Sequence, residues 1–291
     1  MGSESTQPSE RVKLTAHDIR ARKAGPKLSM LSVYDFPFAR LAEEAGIEIL
    51  LVGDSLGMVV QGHDSTVPVT LDDVVYHAKT VRRGAPKTHV VADMPYLTYH
   101  IDTARTIENA GRLMQEGGAD SVKLEGGQEV AERVAALVRA GIPVMGHIGL
   151  TPQSAGALGG FKVQGRDVAS ARKILADAQA IADAGAFAMV VEVIPAELGG
   201  MITGSVSVPT IGIGAGPSCD GQVLVAHDML GLQERIIGRF AKVYANIGDD
   251  VRNAFTSYAD EVRTGAFPDE EHSYGMAKDV LGQLRAPDIS R

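Results

Sequence analysis

The sequence predicts an α/β protein folded as a closed barrel of eight β/α units. Short apolar runs of strand length recur along the chain, such as Ile47–Glu48–Ile49–Leu50–Leu51–Val52, Thr88–Ala92 and Phe187–Val191. Such runs read as strands buried on both faces, the mark of a parallel sheet covered by helices. Polar residues follow these runs at one end: Asp54, Asp93, Glu125, His147 and Glu192. In βα-barrels and doubly wound sheets that end is where ligands sit. Finally, eight alternations of strand and helix with short connections and no shift in composition fit within 291 residues, close to the ~250 residues typical of a barrel.

Residues 1–11 are polar and expected to be disordered. Thr15 with Asp18 forms a capping box that opens a helix to Ala24, which Gly25–Pro26 ends. Leu28–Asp35 is the first strand. Pro37 lies at the start of the next helix, where its missing N–H would have no partner anyway, and that helix ends at Gly46 before the second strand. A long loop, 56–69, follows Asp54–Ser55, and loops of that length in a compact domain tend to be functional. Thr70 then caps a helix reaching about Arg83. The third strand ends at Asp93 and is followed by a helix from about Thr103 to Gln115; the fourth ends at Glu125, with a helix over 128–140. A second long loop, 148–167, separates the fifth strand, ending at His147, from a helix over 169–184. The sixth strand ends at Glu192 and precedes a short helix, 195–203; the seventh runs into Gly212–Ile213–Gly214–Ala215–Gly216. Residues 220–230 read as helical, and the eighth strand is placed at Phe240–Ala245 because an amphipathic helix, Asp249–Arg263, follows it. This gives one barrel domain over 12–268 and a polar tail over 269–291, packed on a neighbouring subunit or loose.

Composition narrows the partners. Net charge is −8, with no basic run longer than a pair such as Arg82–Arg83, so nothing offers nucleic acid an electrostatic footprint. No stretch approaches the ~20 apolar residues of a membrane span, and Met1–Glu10 lacks the apolar centre of a secretory signal. The single cysteine, Cys219, excludes intramolecular disulfides and suits a reducing compartment. The expected location is the cytoplasm.

Several of the strand-end residues could do chemistry. Asp54 and Asp93 end adjacent strands, and two carboxylates that close repel unless a cation lies between them. Mg²⁺, commonly held by one or two carboxylates and completed by water and substrate oxygens, answers that need; helix capping is the bland alternative for either acid alone. Lys123 and Glu125 share one strand face by the two-residue period. They are either a cation for a substrate carboxylate with a third acid near the metal, or a structural ion pair. Ser55 could donate to a substrate oxygen or satisfy a loop amide, and His147 could hydrogen-bond a carbonyl or phosphate. Glu192, after Met189–Val190–Val191, is expected to be desolvated and so suited to act as a general base, unless it pairs with Lys123 or another cation. The 212–216 glycines could form a phosphate-binding turn or simply a tight loop. Together these parts suit metal-assisted enolisation of a 2-oxo acid, with a carboxylate removing the adjacent C–H proton.

From about Leu28 to Tyr274 the chain resembles the ketopantoate hydroxymethyltransferase (3-methyl-2-oxobutanoate hydroxymethyltransferase) family. The likeness rests on 51–57, 61–66, 82–86, 122–127, 146–153, 159–166, 212–216 and 220–222. It implies a (βα)8 TIM barrel of the phosphoenolpyruvate mutase/isocitrate lyase type. It also implies Mg²⁺ at Asp54 and Asp93 with Glu125 close by, keto-acid contacts from Asp54, Ser55, Asp93, Lys123 and His147, and Glu192 as the proton acceptor. The one-carbon donor would be 5,10-methylenetetrahydrofolate, and the assembly a cytoplasmic homo-oligomer, often a decamer in this family. Two rivals are a lyase or mutase of the same barrel type, which would call on a loop cysteine, and a non-catalytic phosphate binder using the 212–216 glycines.

Overall fold

The computed structural model describes residues 12–233 and 238–285. The segment expected to be disordered, 1–11, and the last six residues of the tail lie outside the described residues. Eight parallel strands close into a barrel in sequence order: β1 (Leu28–Ser32), β2 (Ile49–Val52), β3 (His89–Asp93), β4 (Ser121–Glu125), β5 (Val144–Gly149), β6 (Ala188–Glu192), β7 (Thr210–Ile213) and β8 (Gly221–Val225). The helices are α1 (Ala16–Arg20), α2 (Phe36–Glu44), α3 (Leu56–Val59), α4 (Leu71–Gly84), α5 (Thr103–Gln115), α6 (Ala131–Arg139), α7 (Val168–Asp183), α8 (Ala196–Ser205), α9 (Ala226–Met229), α10 (Ile247–Thr264) and α11 (Lys278–Arg285).

Local chemistry explains most boundaries. Thr15 and Thr70 each make the expected capping box, with Asp18 and Asp73 respectively, and Asp35 and Asp102 cap α2 and α5 through Phe38 and Arg105 N–H. Helix α1 ends at Arg20, four residues before the expected Ala24, where the ladder tightens to i→i−3 bonds from Arg22 N–H to Ile19 O and from Lys23 N–H to Arg20 O. Part of the first long loop is helical, as α3.

Two apolar shells hold the barrel together. Inside, Met30, Ile49, Leu51, Val91, Met145, Val190, Ile211 and Val223 fill the bore, and Ile19 and Phe187 belong to the same cluster. Outside, the opposite strand faces pack on the helices through residues such as Leu50, Val52, Val90, Leu113, Val122, Leu137 and Ile181. Each such aliphatic side chain contributes ~1.5–3 kcal/mol of burial. No helix among the described residues is long and apolar enough to cross a membrane.

The eighth strand is a correction. Residues 221–225, read as helical, form β8 and pair with β1 from Leu28↔Gly221 to Ser32↔Val225, whereas Phe240–Ala245 adopts no regular structure. The argument from the following amphipathic helix fails because α10 buries none of its residues, so it is not the helix that covers the last strand. Only the four-residue α9 directly follows β8.

Candidate active site

Seven residues singled out in the sequence, Asp54, Ser55, Asp93, Lys123, Glu125, His147 and Glu192, line one cavity of about 210 Å³ at the carboxyl ends of the strands. Strand alternation turns both Lys123 and Glu125 inward, each nearly fully buried. At the end of β2, Asp54 N–H donates to Asp93 Oδ2 at 3.0 Å. Gly53 permits that approach, since a Cβ there would stand 3.2 Å from Asp93 Oδ2 and 3.0 Å from Ser55 Oγ. Lys123 Nζ lies 2.5 Å from Asp93 Oδ1 and 3.2 Å from His147 Nδ1. On its other side, His147 Nε2 stands 3.1 Å from Glu192 Oε2, so Glu192 pairs with His147 rather than Lys123. Ser55 Oγ shares a 2.7 Å hydrogen bond with Tyr34 Oη.

The charges are unbalanced. Burial first, then the nearby Asp93 and Glu125 carboxylates, push Asp54 well above the usual carboxylate range, against the opposing pull of Lys123 and Gln153. Burial raises Asp93 too, although Lys123 partly offsets it. For Lys123, burial pulls the ammonium down, yet the charges of Asp93, Glu125 and Asp54 hold it above its ordinary value. His147 loses charge stability to burial and to Lys123, but contacts with Glu125 and Glu192 win, raising it to about 9. Glu125 Oε1 is buried with no hydrogen-bond partner; the nearest cationic atom, His147 Nδ1, is 3.5 Å away. Counting Glu192, four acids therefore face two cations, Lys123 and His147, at the cavity, an arrangement with room for a further positive charge. Among the described residues no three His, Cys, Asp or Glu side chains converge as a ready-made ligand set.

Glu192 differs from the buried acids. Its side chain is 15% exposed and faces the cavity. The next residue, Val193, holds φ +46, a left-handed conformation that a β-branched residue adopts only under constraint. Its N–H donates to Ile213 O at 2.8 Å, and its carbonyl accepts from Gln164 N–H at 3.0 Å. The backbone beyond the acid is thus fixed on both sides.

Gln153, in the second long loop, has no role assigned from the sequence, and the structure makes it the hub of the acids. Its Nε2 donates to Asp54 Oδ2 (2.8 Å) and to Met94 O (3.0 Å), its N–H donates to Glu125 Oε2 (3.0 Å), and its Oε1 accepts from Tyr99 Oη (2.8 Å). A buried glutamine whose side-chain amide meets three partners and whose backbone N–H meets a fourth fixes the acids' orientation. Its one sequence signal was a polar residue just after Pro in a long loop. Tyr34 and Asp228 were also missed.

Neither rival gains a residue. Cys219 is fully buried, its carbonyl accepts from Lys27 Nζ, and it is absent from the cavity lining. The glycine turn is used for close packing: a Cβ on Gly199 would meet Ala215 O at 2.2 Å, and one on Gly216 would meet Ala196 Cβ at 2.4 Å.

Comparison with known proteins gives the same direction. Residues 13–270 match the family described as ketopantoate hydroxymethyltransferase. Similar curated relatives include the 3-methyl-2-oxobutanoate hydroxymethyltransferases of Carboxydothermus hydrogenoformans, 56% identical over 90% of this chain and 95% of that one, and of Moorella thermoacetica, 55% identical over 91% and 99%. Among solved structures, 2,3-dimethylmalate lyase, a PEP mutase/isocitrate lyase superfamily member, aligns over 94% of each chain at 18% identity with a TM-score of 0.55. Phosphoenolpyruvate phosphomutase from Streptomyces platensis subsp. rosaceus aligns over 93% of this chain and 96% of that one, at 16% identity with a TM-score of 0.57. These two share the barrel fold. With its match across the barrel and more than half its residues identical to those of full-length relatives, the chain belongs to the ketopantoate hydroxymethyltransferase family of enzymes.

Proposed function

We propose that this cavity transfers the one-carbon unit of 5,10-methylenetetrahydrofolate to 3-methyl-2-oxobutanoate, giving 2-dehydropantoate and tetrahydrofolate on the route to pantothenate. Family membership supports the reaction. The observation that carries the residue roles is the asymmetry of the acids: a buried, under-neutralised group of Asp54, Asp93 and Glu125 on one side, and the open, His147-paired Glu192 on the other.

Asp54 and Asp93 would hold Mg²⁺, with Glu125 behind them, a donor set of hard oxygens that fits this cation. When bound, Mg²⁺ supplies Lewis-acid stabilisation of the charge that develops on the keto oxygen. Ser55, its hydroxyl oriented by Tyr34, and Lys123 receive the substrate carboxylate, while His147 contacts the keto acid. Leu51, Val190, Ile213 and Val223, which line the same cavity, accept the isopropyl group and exclude water from it. Glu192 removes the C3 proton; His147, 3.1 Å away, steadies its carboxylate. Water cleaves the methylene bridge of the folate: both C–N bonds, to N5 and N10, break, the two nitrogens take the water's protons, and the carbon leaves as formaldehyde carrying the water oxygen. The C3 carbanion then forms the C–C bond to that carbon, and its oxygen takes the proton held on Glu192. The exposed Phe255 and Tyr258 rings of α10 support the expectation of a homo-oligomer, decameric if the family habit holds, and the expected compartment is the cytoplasm.

Proton NMR of 3-methyl-2-oxobutanoate in D₂O with the protein and Mg²⁺, with and without tetrahydrofolate, tests the reading. Loss of the C3 signal and collapse of the methyl doublet, both abolished by EDTA, are expected. No exchange under either condition refutes the base or the substrate.

A further inference from the structure

One carboxylate in the cavity has no part in this scheme. Asp228, in the short helix α9 that follows β8, lines the cavity together with Phe161 and Phe240. It is half-buried, and no hydrogen bond or ion pair from the described residues reaches its side chain. Burial raises it above its ordinary value, and among the described residues no cation offsets the effect. A carboxylate that is partly desolvated and given nothing to bind is an unfavourable feature unless a ligand completes it. The acid is separated from the enolising group: β7 lies between β6, which ends in Glu192, and β8, which precedes Asp228. Phe161 and Phe240 are 55% and 39% exposed despite being apolar, which leaves flat faces beside the lone acid. The Phe240 ring is seated on Gly214, whose φ is +65 and where a Cβ would come within 3.1 Å of the ring.

Such a combination recognises a flat heterocycle that presents two adjacent N–H donors along one edge. The two oxygens of a carboxylate accept such a pair side by side, and aromatic rings cover the faces of the heterocycle. Of the two substrates in the proposed reaction, the keto acid has no N–H donor, whereas the pterin ring of the folate carries an amide N–H next to a 2-amino group. We infer that Asp228 receives the pterin edge of the folate co-substrate, with Phe161 and Phe240 flanking the ring at the cavity mouth. This inference rests on the proposed hydroxymethyl transfer and assigns its second substrate a subsite.

Initial rates of 2-dehydropantoate formation by the full chain with Mg²⁺ provide the test, varying 5,10-methylenetetrahydrofolate and 3-methyl-2-oxobutanoate in turn. Asp228→Asn, which keeps the shape but can accept only one of the two donors, is expected to raise the folate KM by about tenfold or more. The keto-acid KM is expected to move by less than about twofold. A folate KM unchanged within about twofold, or an equal rise in both constants, overturns the assignment. A second measurement needs no variant: calorimetry of the wild-type chain with tetrahydrofolate and with an analogue bearing hydrogen in place of the 2-amino group. The analogue is expected to bind about tenfold more weakly, and equal affinities overturn the assignment independently. If wild-type protein leaves the C3 proton of the keto acid unexchanged in D₂O, the underlying reaction is refuted and the inference falls with it. If exchange is normal and the folate results fail, only the role of Asp228 is lost.

Discussion

The floor and the mouth of the barrel both gather carboxylates, but they treat them in opposite ways. At the floor, Glu48, Asp120 and Asp220 precede β2, β4 and β8, and each accepts a backbone N–H from another strand: Ser29, Val90 and Thr210 respectively. Each also meets a cation: Arg22 for Glu48, Lys13 and Arg82 for Asp120, and Lys23 for Asp220. Burial tends to raise Asp120 and Asp220, but these donors outweigh it and hold both below the usual carboxylate value. At the mouth, Asp54 and Asp93 are raised instead, and Glu125 Oε1 has no donor. A carboxylate whose donors are complete tells of folding; one left short tells of a ligand still to come.

The largest expected effect breaks the mouth alone. Glu192→Gln removes the proton acceptor but keeps its size, so C3 exchange is expected to fall by roughly 10²–10⁴-fold with keto-acid affinity close to wild type. Near-normal exchange in this variant would take Glu192 out of the base role. Asp54→Ala acts on the cation: Mg²⁺ at 100 times its dissociation constant is expected to stabilise the wild-type fold by about 2.7 kcal/mol. The variant is expected to lose that rise in Tm. An undiminished Mg²⁺-dependent shift in both Asp54→Ala and Asp93→Ala would refute the metal site.

At the floor the expected readout is reversed. Asp220→Ala strips a 6%-exposed carboxylate from Lys23 and from the N–H groups of Thr210 and Ala24. A loss of about 3 kcal/mol is expected, seen as a lower urea midpoint. Below that midpoint, C3 exchange is expected to persist. Exchange lost in step with Glu192→Gln would show that the two ends are not separable.

How far the sequence reveals this division depends on how local the signal is. Asp54, Asp93, Glu125, His147 and Glu192 are legible because each follows an apolar run, and barrel geometry gathers the ends of such runs. Lys123 and Glu125 are legible as sharing a face, but only barrel closure decides that the face is inward. Strand β8 is not legible: its Gly221–Gln222 start dilutes the apolar run, and its identity comes from pairing with β1, nearly 200 residues earlier in the chain. Asp228 does lie in a helix, α9, and is illegible because the strand end it follows, Val225, is not recognised as one. Gln153 is illegible for another reason, because nothing local distinguishes a glutamine that bridges four partners from one that faces solvent.

The smallest expected effect sharpens the comparison through pH. Because Asp120 and Asp220 are held below their ordinary value of 3.8, the folded protein binds fewer protons there than the unfolded chain. The stability these two supply is therefore fully present above 3.8 and is lost as pH falls through their lowered values in the folded state. Asp54 and Asp93, raised rather than lowered, bear on stability in the opposite sense, so protonating them does not account for an acid loss. Urea midpoints of the metal-free protein from pH 6 down to pH 2 are expected to fall most steeply below about 4. The slope in Asp220→Asn is expected to be shallower, while that in Asp54→Asn is expected to be at least as steep as in wild type. A shallower acid limb in Asp54→Asn instead would mean that the mouth, not the floor, governs acid stability, and the division between the two ends would fail.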